Sequence, residues 1–276
     1  MKKCNICNSG EKEFLFNKFG FDIVKCKSCK FVYVDREFDI IELEKYYSKD
    51  YYSGANEYVY KDYKAERTAK SRTFLRKLRD IESLKKFGKL LDIGCAMGFF
   101  LDVARQKGWE TYGIELSKYS ANVAKNELGL NVLNCELIQA NFPDNYFDVV
   151  TMWDVIEHLP DPALNLKEIY RILKKDGLLV ITTGDIDNIN ARVFKRRWIL
   201  IAPPWHLYYF SRNTLKAILK NIGFSIKQIS NSGIPLCNRN VPRFPRLFRI
   251  VFNKYTLFIL GLSGIGDAIT VYAEKH

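Results

Sequence analysis

The sequence predicts an α/β protein, a doubly wound sheet of seven strands preceded by a small cysteine-bearing ribbon. Three observations carry this expectation. From Lys89 onward, apolar segments of strand length alternate with helical patterns, the signature of parallel strands joined by crossover helices. The stretch "LLDIGCAMGFFLDVARQKGWETYGIE", Leu90 to Glu115, reads as strand, glycine turn, helix and a second strand ending in an acid. Near the amino terminus, Cys4-x-x-Cys7 and Cys26-x-x-Cys29 form two pairs with eighteen residues between them, within the spacing of a four-cysteine zinc site.

Residues 1–40 therefore read as a zinc ribbon. Each pair presents two thiolates, the intervening chain is long enough for a hairpin, and "KFVYVD" after Cys29 alternates like a strand. The zinc would be structural, because so short a segment has little core and draws its folding energy from the metal. Cys95, Cys135 and Cys237 lack such partners and read as buried or incidental. Residues 41–88 form a helical connector or lid, tyrosine-rich and then basic, with Phe74, Leu75, Leu78, Ile81 and Leu84 at helical spacing. Its tyrosines either pack or line a site. The main domain, 89–276, carries the candidate strands "KLLDIG", "WETYGIE", "NVLNC", "YFDVVTMWD", "DGLLVITTG", "FSIKQIS" and "GDAITVYAEKH". A basic amphipathic insertion interrupts it at about 233–262.

In an open parallel sheet, ligands bind at the carboxyl ends of the strands, where the first strand-to-helix turn lies. Gly94 and Gly98 allow close backbone approach there. The turn reads Asp92-x-Gly94-x-Ala96-x-Gly98, too few and differently placed glycines for a pyrophosphate cradle. Glu115 ends the second strand, where a carboxylate accepts hydrogen bonds from ribose hydroxyls. The cofactor expected has a ribose and no pyrophosphate.

The successive segments "LLDIGCAMGFFL", "YGIELS", "FPDNYFDVVTMWDVIEHLPDP" and "LKKDGLLVITTG" resemble the motifs of class I S-adenosylmethionine-dependent methyltransferases over roughly Lys89 to Gly184. "HLYYFSRNTLKAILKNIGF" resembles the segment after that family's fifth strand, and the ribbon with its connector resembles a subgroup linked to sugar and polysaccharide methylation. The resemblance implies a Rossmann-like sheet and S-adenosylmethionine as cofactor. It places Asp92, Gly94 and Gly98 at the methionine part and Glu115 at the ribose. Glu136, Leu116 and Leu137 fall near the adenine, and Trp153 and Asp154 beside the sulfonium. Ala96 stands where the family often has glycine. Among three histidines, His158 follows the fourth strand at the acceptor rim and is the first candidate base, and His206, among Trp205, Tyr208 and Tyr209, is the second.

Composition narrows the partners. Hydrophobic residues at 47% and charged ones at 27% exclude disorder and a polytopic membrane protein. The start "MKKCNICNSG" has no apolar signal core, giving a cytoplasmic expectation. The net charge of +12 is uneven, with thirteen Lys and Arg and no acid between Asp187 and Asp267. This points to an anionic partner, a lipid-linked or sugar acceptor with peripheral contact to an anionic membrane surface. Transfer to RNA is the second reading, the ribbon and the basic residues from Lys61 to Lys89 gripping phosphates.

Overall fold

The computed structural model describes residues 2–39, 42–43, 46, 63–232 and 266–276. The basic insertion at about 233–262, Cys237 and much of the connector lie outside the described residues. The ribbon is an antiparallel pair, β1 (Lys12–Lys18) and β2 (Phe21–Cys26), followed by β3 (Val32–Val34). The main chain continues through α1 (Arg67–Leu84), β4 (Lys89–Ile93), α2 (Phe99–Gln106), β5 (Glu110–Ile114), α3 (Lys118–Asn126), β6 (Val132–Leu133) and β7 (Phe147–Trp153). Then come α4 (Pro162–Ile172), β8 (Leu173–Gly184), α5 (Ile189–Phe194), β9 (Tyr208–Tyr209), α6 (Arg212–Ile222), β10 (Phe224–Ser232) and β11 (Ala268–Lys275).

Seven strands form one sheet in the order β10-β11-β8-β7-β4-β5-β6. The five from β4 to β8 are parallel, as the alternation predicts, whereas β11 is antiparallel to both β8 and β10. Alternate side chains go to opposite faces. Leu90 and Val149 meet Phe100, Ala121 and the α1 residues Leu78 and Ile81 on one face. Leu91, Val150 and Met152 meet Leu166, Ile169, Leu215 and Leu219 of α4 and α6 on the other. Helices thus cover both faces of a doubly wound sheet. Of the connector residues chosen by helical spacing, Leu78 and Ile81 are buried, while Leu84 is exposed because α1 ends there.

The ribbon does not stand apart from this core. β9 adds to β3 as the fourth strand of its sheet, pairing Tyr208 with Tyr33 and Tyr209 with Val32. The ring of Phe31 stacks on Tyr208 with centroids 5.6 Å apart and meets Phe210 at 5.0 Å. The segment predicted to alternate is instead buried at every position from Phe31 to Val34. β3 is an interior strand with both faces covered, so period-two exposure is lost.

Local chemistry sets the helix starts next to the site. Ser117 and Asp161 cap α3 and α4, Asp161 Oδ1 accepting from Leu164 N at 3.0 Å. Ser211 and Thr214 form a reciprocal capping box at α6.

Candidate active site

A cavity opens at the carboxyl ends of β4, β5 and β7. Seven of the nine residues expected at the cofactor line it: Gly94, Glu115, Leu116, Glu136, Leu137, Trp153 and Asp154. Asp92 and Gly98 lie behind its wall. Asp92 is 2% exposed and accepts from Thr151 Oγ1 at 2.6 Å, and burial pushes its carboxyl up to about 8. Gly98 caps α2 at φ +78 against Leu130 and Ala124, so it shapes the turn and not the cavity surface. Gly94, at φ +68, faces Val155, whose methyl would lie 2.6 Å from an added Cβ.

Glu115 organises the turn. One carboxylate oxygen accepts from Ala96 N at 2.8 Å and the other from Ser117 N at 2.7 Å, so the acid ties the β4 turn to the start of α3. A carboxylate has about four lone-pair sites, and both oxygens keep capacity for further donors. Ala96 stands at φ 48, in the left-handed region rather than the negative φ that would suit a methyl comfortably. The hydrogen bond that its backbone N–H donates to Glu115 Oε2 is made in this conformation. Asn134, which the sequence did not single out, donates to the carbonyls of Glu115 and Leu116 at 2.8 Å each.

At the other end of the cavity, the turn after β7 carries Asp154 at φ 57 and then His158. His158 Nδ1 donates to the carbonyl of Trp205 at 2.7 Å, and His206 Nδ1 donates to the carbonyl of Leu200 at 2.7 Å. The two rings meet edge-on at 4.7 Å, 84° between planes. His158 lines the cavity, and His206 stands behind it. Burial holds the His158 imidazole down to about 4, against the opposing pull of the Trp205 carbonyl and Asp154. Glu157, 4% exposed, is pushed by burial up to about 8, and its Oε2 has no hydrogen-bond partner among the described residues. A carboxylate oxygen and ring nitrogens of these three residues lie within 4.8 Å of one another.

Several cavity residues were not legible as such. Tyr63 of the connector lines the wall, 7% exposed and stacked on Phe99 at 5.4 Å. Cys135, read as buried or incidental, lines it too. Lys77 of α1 sets its Nζ 4.0 Å from the Trp153 ring centre. Burial lowers its pKa, while Asp154 and Asp92 pull it up. Lys77 is one of the basic residues from Lys61 to Lys89 that the RNA reading turns toward phosphates, and the structure directs it instead at the Trp153 ring.

The four ribbon cysteines converge. Cys4 and Cys29 sulfurs are 3.4 Å apart, Cys7 and Cys26 sulfurs 3.5 Å, and all four lie within 4.8 Å of one another. Four sulfurs about 2.3 Å from a tetrahedral zinc stand a little under 4 Å apart, so the donor set and spacing fit that ion. Asn8 and Lys30 take left-handed backbone, folding each pair back so that Asn8 N reaches Cys4 O and Lys30 N reaches Cys26 O.

A family model described as "Methyltransferase domain" matches residues 63–229, more than half of the chain. The chain belongs to the methyltransferase-domain family. Solved structures similar to this methyltransferase include a SAM-dependent methyltransferase from Archaeoglobus fulgidus, at 23% identity and TM-score 0.54 over 74% of this chain and 93% of that one. Another is from Mesorhizobium loti, at 15% identity and TM-score 0.52 over 71% and 96%. At such identities they show the Rossmann-like fold. Ubiquinone biosynthesis O-methyltransferases are similar over a shorter stretch. The Pseudomonas fluorescens enzyme is 31% identical over 102 residues and the Aeromonas salmonicida enzyme 34% over 105. This methyltransferase matches 44% of the length of each.

Proposed function

We propose that this methyltransferase moves the methyl group of S-adenosylmethionine to a hydroxyl oxygen of a small-molecule or glycan-type acceptor, including a lipid-linked one. The observation that carries the reading is His158 on the wall of the same cavity as Glu115, Trp153 and Asp154. The cavity fits the cofactor by its chemistry. Glu115 would hold the ribose, Leu116 and Leu137 would flank the adenine with Glu136 at its edge, and Gly94 leaves room for the methionine part. Asp92 and Gly98 serve by holding the turn. Among the acids, Asp154 lies where it would favour a sulfonium.

When bound, S-adenosylmethionine supplies a methyl already activated on a cationic sulfur. The protein then has to align the acceptor, exclude water and take the hydroxyl proton. His158 suits the last task. Its Nδ1 proton is committed to the Trp205 carbonyl, which places the basic lone pair on Nε2. Burial lowers the pKa to about 4, so the ring is neutral at physiological pH but a weak base, and it would take the proton late, as the hydroxyl acidifies on bonding to the methyl. His206, edge-on behind it, orients the ring. The O-methyltransferase name of the relatives supports oxygen as the acceptor atom. The ribbon would carry one structural zinc on Cys4, Cys7, Cys26 and Cys29.

The test is transfer of radiolabelled methyl from S-adenosylmethionine into cell extract separated into RNA, lipid and water-soluble glycan fractions. Label in the lipid or glycan fraction, lost in His158→Ala, supports the reading. Label in RNA overturns it.

A further inference from the structure

We propose that the outer face of α5, with the turn that follows it, is a docking surface for a membrane bearing anionic headgroups. Ile189 and Val193 lie four residues apart and so share one face of α5. They are 57% and 66% exposed, the second the most exposed large hydrophobic residue among those described. Arg192, Lys195, Arg196 and Arg197 neighbour them along the chain, all exposed. None of these four cations has an ion-pair partner among the described residues, whereas Lys12, Arg105, Arg171 and Lys174 each hold a carboxylate. Aliphatic side chains among unpaired cations match the boundary of an anionic bilayer, apolar groups below and basic groups at the headgroups.

The nearby acids offset the patch only in part. Asp185 is 8% exposed, accepts from Asp187 N at 3.0 Å and feels the charge of Arg192, Asp267 accepts from Asn190 at 2.6 Å, and the exposed Asp187 is one acid against four cations. From Asp187 to Asp267 the sequence contains no other acid. The patch also has a firm base. Trp198 and Leu200, 3% and 6% exposed, pack under it against Gly184, where an added Cβ would meet Leu200 at 2.7 Å. Because β4, β7 and β8 are parallel, their ends at Ile93, Trp153 and Gly184 share one edge of the sheet. α5 starts just past Gly184, so the docking face lies on the edge where the cavity opens. A single-stranded nucleic acid would be gripped by aromatic platforms between the cations. The exposed apolar residues here are aliphatic, which favours lipid.

The inference rests on this surface alone and not on the acceptor reading. Its test is sedimentation of the full chain with vesicles of phosphatidylcholine, with and without phosphatidylglycerol. Binding is expected only with phosphatidylglycerol, falling about tenfold or more in Arg196→Glu/Arg197→Glu and again in Ile189→Ser/Val193→Ser. Unchanged thermal unfolding and cofactor binding certify that the variants fold. Absent binding, equal binding to neutral vesicles, or binding retained by both double variants would overturn the proposal. So would retention of an RNA oligonucleotide in place of vesicles. Any of these leaves the acceptor reading standing if methyl transfer persists.

Discussion

Leu207 donates its amide to the carbonyl of Glu157 at 2.8 Å, and its own carbonyl accepts from Val34 N at 2.9 Å. One residue therefore joins the ribbon strand β3 to the turn that carries His158. Tyr208 beside it adds a second link, its hydroxyl 2.8 Å from the Pro160 carbonyl and 3.1 Å from Asn5 Oδ1 between the first two cysteines. The four-cysteine cluster and the His158 end of the cavity are thus joined through a continuous set of hydrogen bonds.

Loss of metal should consequently reach the active site. Cys26→Ser is expected to lower zinc content by elemental analysis and to cut the rate of methyl transfer while cofactor affinity changes little. The milder Tyr208→Phe removes one hydrogen bond, worth about 1 kcal/mol, and should lower the melting temperature by roughly 2–4 °C. Full zinc content in Cys26→Ser would dispose of the ribbon site.

Glu115→Ala removes a carboxylate that anchors two backbone amides. Hydrogen bonds to a charged group are worth roughly 1.5–3 kcal/mol each. Cofactor affinity by titration calorimetry should fall at least about tenfold for each ribose hydroxyl that loses its bond to this carboxylate. Unchanged affinity would refute the ribose role.

The pH behaviour has a definite sign. His158 is held at about 4 by burial against an ordinary value of 6.5. Between those values the unfolded chain binds more protons, so the contribution of this group to stability is complete above 6.5 and is lost as the pH falls through 4. Asp92 and Glu157, raised by burial to about 8, act oppositely: their contribution is present at low pH and lost as the pH rises through 8. Comparison of wild type with His158→Gln in denaturant isolates the first effect. The rate of methyl transfer should show no acid limb near 6.5, and an inflection there would contradict a depressed imidazole.

Gly98→Ala places a side chain at φ +78 and against Leu130. Left-handed backbone of this kind costs a non-glycine residue about 1–3 kcal/mol. Urea unfolding should register that loss, and a neutral result would mean the turn can relax.

Much of the fold was legible because its signals are local. Each strand from β4 to β8 shows as a short apolar run and each helix as a 3.6-residue period, and the glycine turn with Glu115 follows from one stretch of twenty-six residues. The antiparallel place of β11 was not legible, since pairing direction is a property of neighbours. Tyr63 escaped for a similar reason: one tyrosine among many in the connector becomes a cavity wall only when it stacks on Phe99.

By itself, the sequence determined the alternating architecture, the four-cysteine set and the acid at the end of β5, all of which depend on residues close along the chain. Tertiary structure alone decided that His206 sits edge-on to His158, that β9 completes the ribbon sheet and that Leu207 bridges Val34 to Glu157. These contacts join segments tens of residues apart or more, and side-chain periodicity carries no record of which distant segments fold together.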